Sequence, residues 1–376
     1  MNIKKIRCGG SIPLKRREKR LINYKVKEGV RLICNGAFYD CKKLEHIELP
    51  SSINFIGDNA FARCYLLNEI ILPDSLLYIG DGAFDCDSPF FDENRTQPLH
   101  ITIPSSVEMI AGNPFCYNTI IDCHNERFKI IDNSLYSADG KVLISCCSEK
   151  KVFTIPTGVE RIGKSAFRKS PIEEVVLPPT LRIIDEYAFY GASCQVNNGI
   201  FPESLEEIRD KAFGGSRGLY YGCVSFQSNM KRISPDAFDF EDDIMLIRVP
   251  KGRIDHYRTM LPECAHHKIC DDDVIFDNGL YLNRDKTELI TVSGNEGDVI
   301  IPEGITKIRD RAFGLCFDSI TFPASLKDFT SNIFDSEQKT FGEDFLMAEQ
   351  IFVPSGTIDF FSERLPKYKD IIEEIR

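Results

Sequence analysis

Residues 46–86 read HIELPSSINFIGDNAFARCYLLNEIILPDSLLYIGDGAFDC, and they contain one phrase written twice. Ile47, Leu49, Pro50, Ile53, Ile56, Gly57, Ala60 and Phe61 return 23 residues later as Ile70, Leu72, Pro73, Leu76, Ile79, Gly80, Ala83 and Phe84. Cys64 returns as Cys86, one place early. A fixed period of this length with constant apolar positions marks a solenoid. One such unit cannot close a core alone, so it must stack on copies above and below.

Working outward, a degenerate first coil precedes this stretch, with Val26, Val30, Ile33, Ala37, Phe38, Cys41 and Leu44 in place but no Leu-Pro step. Terminal repeats are atypical because they present a polar outer end. A fourth coil follows an insertion and ends at Phe115. Residues 120–151 then break the period, with short apolar runs around Ser-Ala-Asp-Gly that signal a hairpin. The repeat resumes at VFTIPTGVERIGKSAF and runs to a helical phrase at about 251–270. A second break, DNGLYLNRDKTELI, mirrors the first, DNSLYSADGKVLI. Two more coils and a second helical phrase complete the chain, and that last phrase is placed to seal the stack. The expected division is a basic arm at 1–21, a first repeat block at 22–272 and a second at 273–376.

Within one coil, EHIELP and NEIILP alternate as strands do. Proline ends each strand, having no N–H to give a neighbour. A second apolar pair, such as Ile53 and Ile56, returns along another wall. The Ala-Phe pair follows, at Phe38, Phe61, Phe84, Phe167, Phe189, Phe213, Phe238 and Phe313, and these rings are expected to form an internal column. Gly57, Gly80 and Gly163 either make a left-handed turn or permit close approach. Asp185, Arg209 and Arg309 at the same position argue against the turn.

The chain of 376 residues carries a net charge of −11, which argues against general nucleic-acid binding. Residues 1–20 alone hold eight basic side chains against Glu18, leaving −18 on the rest. That arm reads as a solvated terminus or as a contact for an anionic surface. No run is apolar and long enough to span a bilayer, and no apolar core of a signal peptide follows the first charges. A cytoplasmic location is therefore expected. The 14 cysteines read as free thiols, several of them filling the repeat at Cys41, Cys64 and Cys316.

The pattern IP-x-S/G-V-x-x-I-G-x-x-AF-x-x-C resembles the BspA-type leucine-rich repeats of bacterial proteins, over about residues 24–376. The resemblance implies an α/β leucine-rich-repeat solenoid: a curved right-handed coil stack with a parallel β-sheet on one face, short helical turns and a C-terminal capping helix. It also implies a non-enzymatic scaffold for a protein partner. Much of that family is surface-located or secreted and serves adhesion, so an adhesin or glycan-binding protein is the alternative.

Chemistry-bearing motifs are sparse. Gly214, Ser216 and Gly218 have the spacing of a nucleophile elbow without its strand-to-helix setting. Cys264, His266, His267 and Cys270 are metal-capable residue types, but their spacing fits no usual zinc pattern, and exposed histidines at a helix end are the plainer reading. No cofactor is implied. The solvent-facing residue of each first strand gives a candidate contact row: Glu48, Ile71, Thr102, Thr154, Val176, Ile200 and Arg248, continued by Ser225, Ile300, Thr321 and Phe352. Its middle is unusually apolar. β-branched residues favour strands on either face, yet extended faces are what solenoids use to bind.

Overall fold

The computed structural model describes residues 22–86, 97–117, 119–215, 222–238, 244–271, 274–292, 297–313, 317–335 and 348–375. The basic arm lies outside the described residues. The chain forms a β-solenoid of stacked parallel strands with few helices, in two compact units. One unit runs to residue 215 and takes in Met230–Phe238, while the other holds residues 222–229 and 244–375. The hairpin that prompted a division near 272 starts at Val274, inside the second unit.

Most of the described coils contribute to two walls of parallel strands, the expected sheet and a second one. In the first unit the first wall pairs Asn23–Lys25 with His46–Glu48, Leu99–Ile103 with Thr119–Cys123, and Val152–Thr154 with Glu174–Val176. The second wall is built from the residue pair at the position of Phe55–Ile56 in each coil. It pairs Leu32–Ile33, Phe55–Ile56, Tyr78–Ile79 and Met109–Ile110 in register. The hairpin heads a separate sheet, built from the same strand position in the coils that follow it. Strands Phe128–Ile131, Ser134–Ser137 and Val142–Cys146 run antiparallel, and the last pairs in parallel with Arg161–Ile162. The second unit repeats the device with Val274–Asp277, Leu280–Asn283 and Glu288–Val292, the last in parallel with Lys307–Ile308.

The phenyl column is present. Phe38, Phe61 and Phe84 stack at 5.2 and 5.4 Å with planes within 6°. Phe167, Phe189, Phe213 and Phe238 stack at 4.8, 5.0 and 4.8 Å. These separations match the strand-to-strand spacing, so one ring per coil fills the tube without a gap. In the second unit Phe313, Phe334 and Tyr368 continue the pattern at tilted angles. Two short helices, Ile254–Arg258 and Ile358–Arg364, each lead into a 3-10 turn. The helix Ile358–Arg364 buries Phe361, and the chain closes with one further parallel strand, Ile372–Ile375.

The repeat glycines serve closeness. A Cβ on Gly80 would lie 2.5 Å from the backbone nitrogen of Asp58, and one on Gly57 2.6 Å from that of Asn35. The left-handed residue comes two places later: Asn59, Gly82, Ser165, Tyr187, Lys211 and Arg311 all have φ between 51° and 63°. There the backbone turns its N–H along the stack, as from Asn59 to the Asp81 carbonyl and from Tyr187 to Asp210. Among the described cysteines, eleven are free thiols, and Cys34 departs from the expectation by being disulfide-bonded.

Phe189 is fully buried between two rings. Its replacement by alanine should cost about 3–5 kcal/mol in a denaturant titration; a loss under about 1 kcal/mol would show that the ring column carries little stability. Two glycine exchanges should move stability in opposite directions. Gly80→Ala forces a methyl into the neighbouring coil and should destabilise by about 1–3 kcal/mol. Lys211→Gly relieves a left-handed lysine and should raise stability by up to roughly 1 kcal/mol.

Candidate binding surface

The predicted row is a register row wherever ladders exist. In the first unit Lys25 faces Glu48, Thr102 faces Asp122, and Thr154 faces Val176. In the second unit Ser225 faces Arg248, and Ile300, Thr321 and Phe352 lie side by side. Glu48 is held by Lys25 at 2.5 Å, and this partner raises the lysine above its ordinary pKa. Thr154 is exposed, Val176 half-buried and Ile200 exposed.

The row changes character at two places. The segment carrying Ile71 joins no ladder: its only strand contact among the described residues is a single bridge from Glu69 to His100, beside a hydrogen bond from the His100 N–H to the Asn68 carbonyl at 2.9 Å. Ile71 is left 77% exposed. Beside it opens a groove of about 330 Å³, lined by Glu69, Ile71, Asp74, His100, Thr102, Ser105, Asp122 and His124 among others. Two predicted row residues, Ile71 and Thr102, therefore meet in one depression. His100, Asp122 and His124 were missed. Their signal was the alternation of HITIP and IIDCH, two residues apart on one face.

The second change is a correction. Arg248 is half-buried, not solvent-facing, and its Nε has no solvent contact. The reason is the second hairpin: Val274, Tyr281 and Ile290 pack over Cys223, Leu246 and Cys270 on that face of the wall. Cys270, in register with Arg248, is 2% exposed.

The other motifs do not assemble. Ser216 and Gly218 lie outside the described residues, and Gly214 sits in the turn after Phe213. The His266 Nε2 lies 2.9 Å from the Arg258 carbonyl and 3.1 Å from that of Leu261, so the ring closes a local turn. Cys270 is directed to the Ile247 carbonyl at 3.6 Å. The His267 side chain is outside the described set. Among the described residues no group of three or more His, Cys, Asp or Glu side chains is placed to hold a metal ion. No described helix is long and apolar enough to cross a membrane. Burial pushes the Cys146 thiol up to about 11 and the Cys194 thiol up to about 12, the reverse of an activated nucleophile.

Stacked coils with a parallel strand, a proline stop and an Ala-Phe turn define a leucine-rich-repeat scaffold. The family model for the BspA type leucine rich repeat region (6 copies) matches residues 17–142, 89–192, 140–261 and 293–341, and the chain belongs to that family. Among solved structures it is similar to a leucine rich cell surface protein from Faecalibacterium prausnitzii A2-165, with 23% identity, 61% of this chain and 67% of that one covered, and a TM-score of 0.43. It is similar to the pneumococcal vaccine antigen PcpA, with 18% identity, 94% and 77% coverage and a TM-score of 0.47. It also resembles a leucine-rich repeat protein from Eubacterium ventriosum, with 14% identity, 88% and 87% coverage and a TM-score of 0.46. A comparison with curated proteins gave no match.

Cys146 and Cys194 should resist alkylation near pH 8 in the folded protein and react once it is unfolded, because the thiolate is the reactive form. Mass spectrometry of labelled peptides reads this directly. Rapid labelling of either thiol in the native state would show that the interior opens.

Proposed function

We propose that this chain is a non-catalytic scaffold that holds a protein partner on the first wall of its first unit, anchored in the groove beside Ile71 and Thr102. The supporting observation is the exposure of Ile71 on a segment that has left the strand ladder. An aliphatic side chain held that far into water, beside a depression with carboxylates and imidazoles, offers an anchor with a polar rim. Thr154, Val176 and Ile200 extend the face within the same unit, with Glu48 at its other end. Family membership favours display at the cell surface over the cytoplasmic location first expected, with adhesion or glycan binding as the second reading. The basic arm adds a contact for an anionic surface, supported by its eight cationic side chains.

Replacing Ile71, Val176 and Ile200 together with glutamate should leave the circular dichroism spectrum and melting temperature essentially unchanged and abolish capture of the partner. Ile71→Glu alone should account for most of the loss. Undiminished capture would remove this row as the site. Cell fractionation tests the location, and recovery in the cytosol would overturn surface display.

A further inference from the structure

The second wall of the first unit changes its outward chemistry partway along. In its first four coils the outward position holds Leu32, Phe55, Tyr78 and Met109, paired in register one coil apart. Leu77 flanks them. Leu32, Leu77 and Met109 are 38%, 41% and 59% exposed. The rings of Phe55 and Tyr78 lie face to face, 4.3 Å apart and within 3° of parallel, so they are fixed in place before anything binds. The same outward position after the hairpin holds Arg161, Ile183, Glu207 and Arg232. There the surface is tied up in ion pairs, with Arg161 and Arg209 on Asp185 and Arg182 and Lys231 on Glu206. The two halves are separate parallel sheets built from the same strand position of the coil. Strand propensity accounts for neither the exposed methionine nor the abrupt switch.

The stripe has an acidic border. Asp58 and Asp81 lie along one side: burial holds the Tyr78 hydroxyl above the ordinary range, and these two carboxylates are near enough to add to it. Glu108 stands on the other side, in the row Arg31, Asn54, Leu77, Glu108. Arg31, Lys164, whose Nζ is 3.7 Å from Asp81, and Arg168, which also acts on Asp81, are cations at its margins.

Spacing selects the occupant. Coils repeat every ~4.8 Å, so the four anchors span about 14 Å. A helix lying along the stack presents one residue per turn every 5.4 Å, about 16 Å over three turns. An extended peptide presents same-face residues every ~6.7 Å and falls out of step by about 6 Å over that distance. A stripe one side chain wide is also far short of the roughly 800 Å² per partner of a stable dimer. We infer that Leu32, Phe55, Tyr78 and Met109 form a docking stripe for a short amphipathic helix of a partner protein, apolar on one face and lysine- or arginine-rich beside it. This stripe is on the second wall, and its fate is independent of the groove beside Ile71.

The test uses the full chain and two conformationally locked helical peptides of about 14 residues, with leucine at i, i+4, i+7 and i+11 and either lysine or glutamate on the flanks. Fluorescence anisotropy should show the lysine peptide binding roughly tenfold or more tighter than the glutamate peptide, and Met109→Glu or Leu77→Glu should weaken it by a similar factor. Those substitutions add negative charge, so diffuse attraction to an acidic protein would strengthen binding instead. Arg232→Glu, on the ion-paired half of the wall, should leave the affinity within about twofold. Equal binding of the two peptides, or a lysine peptide indifferent to Met109→Glu, overturns the inference. Sedimentation as a dimer that Met109→Glu dissociates would assign the stripe to a second copy and overturn it as well.

Discussion

The backbone N–H of Phe61 reaches the carbonyl of Ala83 in the next coil at 2.7 Å, and the same bond runs from Phe38 to Ala60, from Phe167 to Ala188 and from Phe189 to Ala212. It closes each coil on the side that carries no strand. With the two walls, a coil that keeps both ladders, as 152–167 does on 174–189, is hydrogen-bonded to the next along three edges, and its separation from that coil is fixed at the strand spacing. That separation is also what two phenyl rings need to stack. Alanine usually precedes the phenylalanine, and Ala60, Ala83, Ala166, Ala188 and Ala212 are all completely buried, although Pro114 and Ile333 take the same place before Phe115 and Phe334. The glycines of the second wall answer to the same constraint, since a methyl there would intrude on the backbone one coil away.

Such a frame leaves the outer positions free to vary. Inward residues are dictated by the tube, whereas outward residues on either wall stand in register rows whose chemistry is open to selection. The first unit uses that freedom three ways: a disrupted strand with a groove, an apolar stripe and an ion-paired strip. Arg168 and Asp85, which pair across 83 residues of sequence, tie the third coil to a coil after the hairpin, and the Asn113 side chain in the fourth coil donates to the Ser165 carbonyl beyond it.

Much of the architecture was legible because the period averages over many copies. Proline after each first strand, the Ala-Phe turn and both hairpins recur often enough to outweigh any single exception. The candidate surface was less legible, for reasons that local pattern does not carry. Ile71 occupies the same phrase position as Glu48, yet its segment leaves the ladder and Glu48 does not. Arg248 reads as outward, but a hairpin starting 26 residues later covers it. The left-handed turn was invisible because Asn59, Ser165, Tyr187, Lys211 and Arg311 share no common preference for it. Its cause is the coil-to-coil bond made there, which over-rides the cost of about 1–2 kcal/mol for a non-glycine residue.

A column of polar side chains shows how the frame tolerates an internal cost. Asn35 Oδ1 accepts the Asp58 N–H, Asp58 Oδ1 accepts the Asp81 N–H, and Asp81 Oδ1 accepts the Asn113 N–H, at 3.0, 2.9 and 3.2 Å. The Asn35 amide oxygen does at the first step what the carboxylates do at the next two, so two adjacent carboxylates are not required by the hydrogen bonding. Burial holds the Asp81 carboxyl above its usual range, with the nearby Asp58 adding to the shift and Arg168 and Lys164 opposing it. A carboxyl whose folded value is raised subtracts from stability while ionised, and that penalty fades as pH falls through the raised value toward the ordinary one. At neutral pH the first unit therefore carries a charge it could have replaced with asparagine. Asp58 and Asp81 stand beside Tyr78, at the edge of the apolar stripe, where a negative border has a use that the frame does not supply.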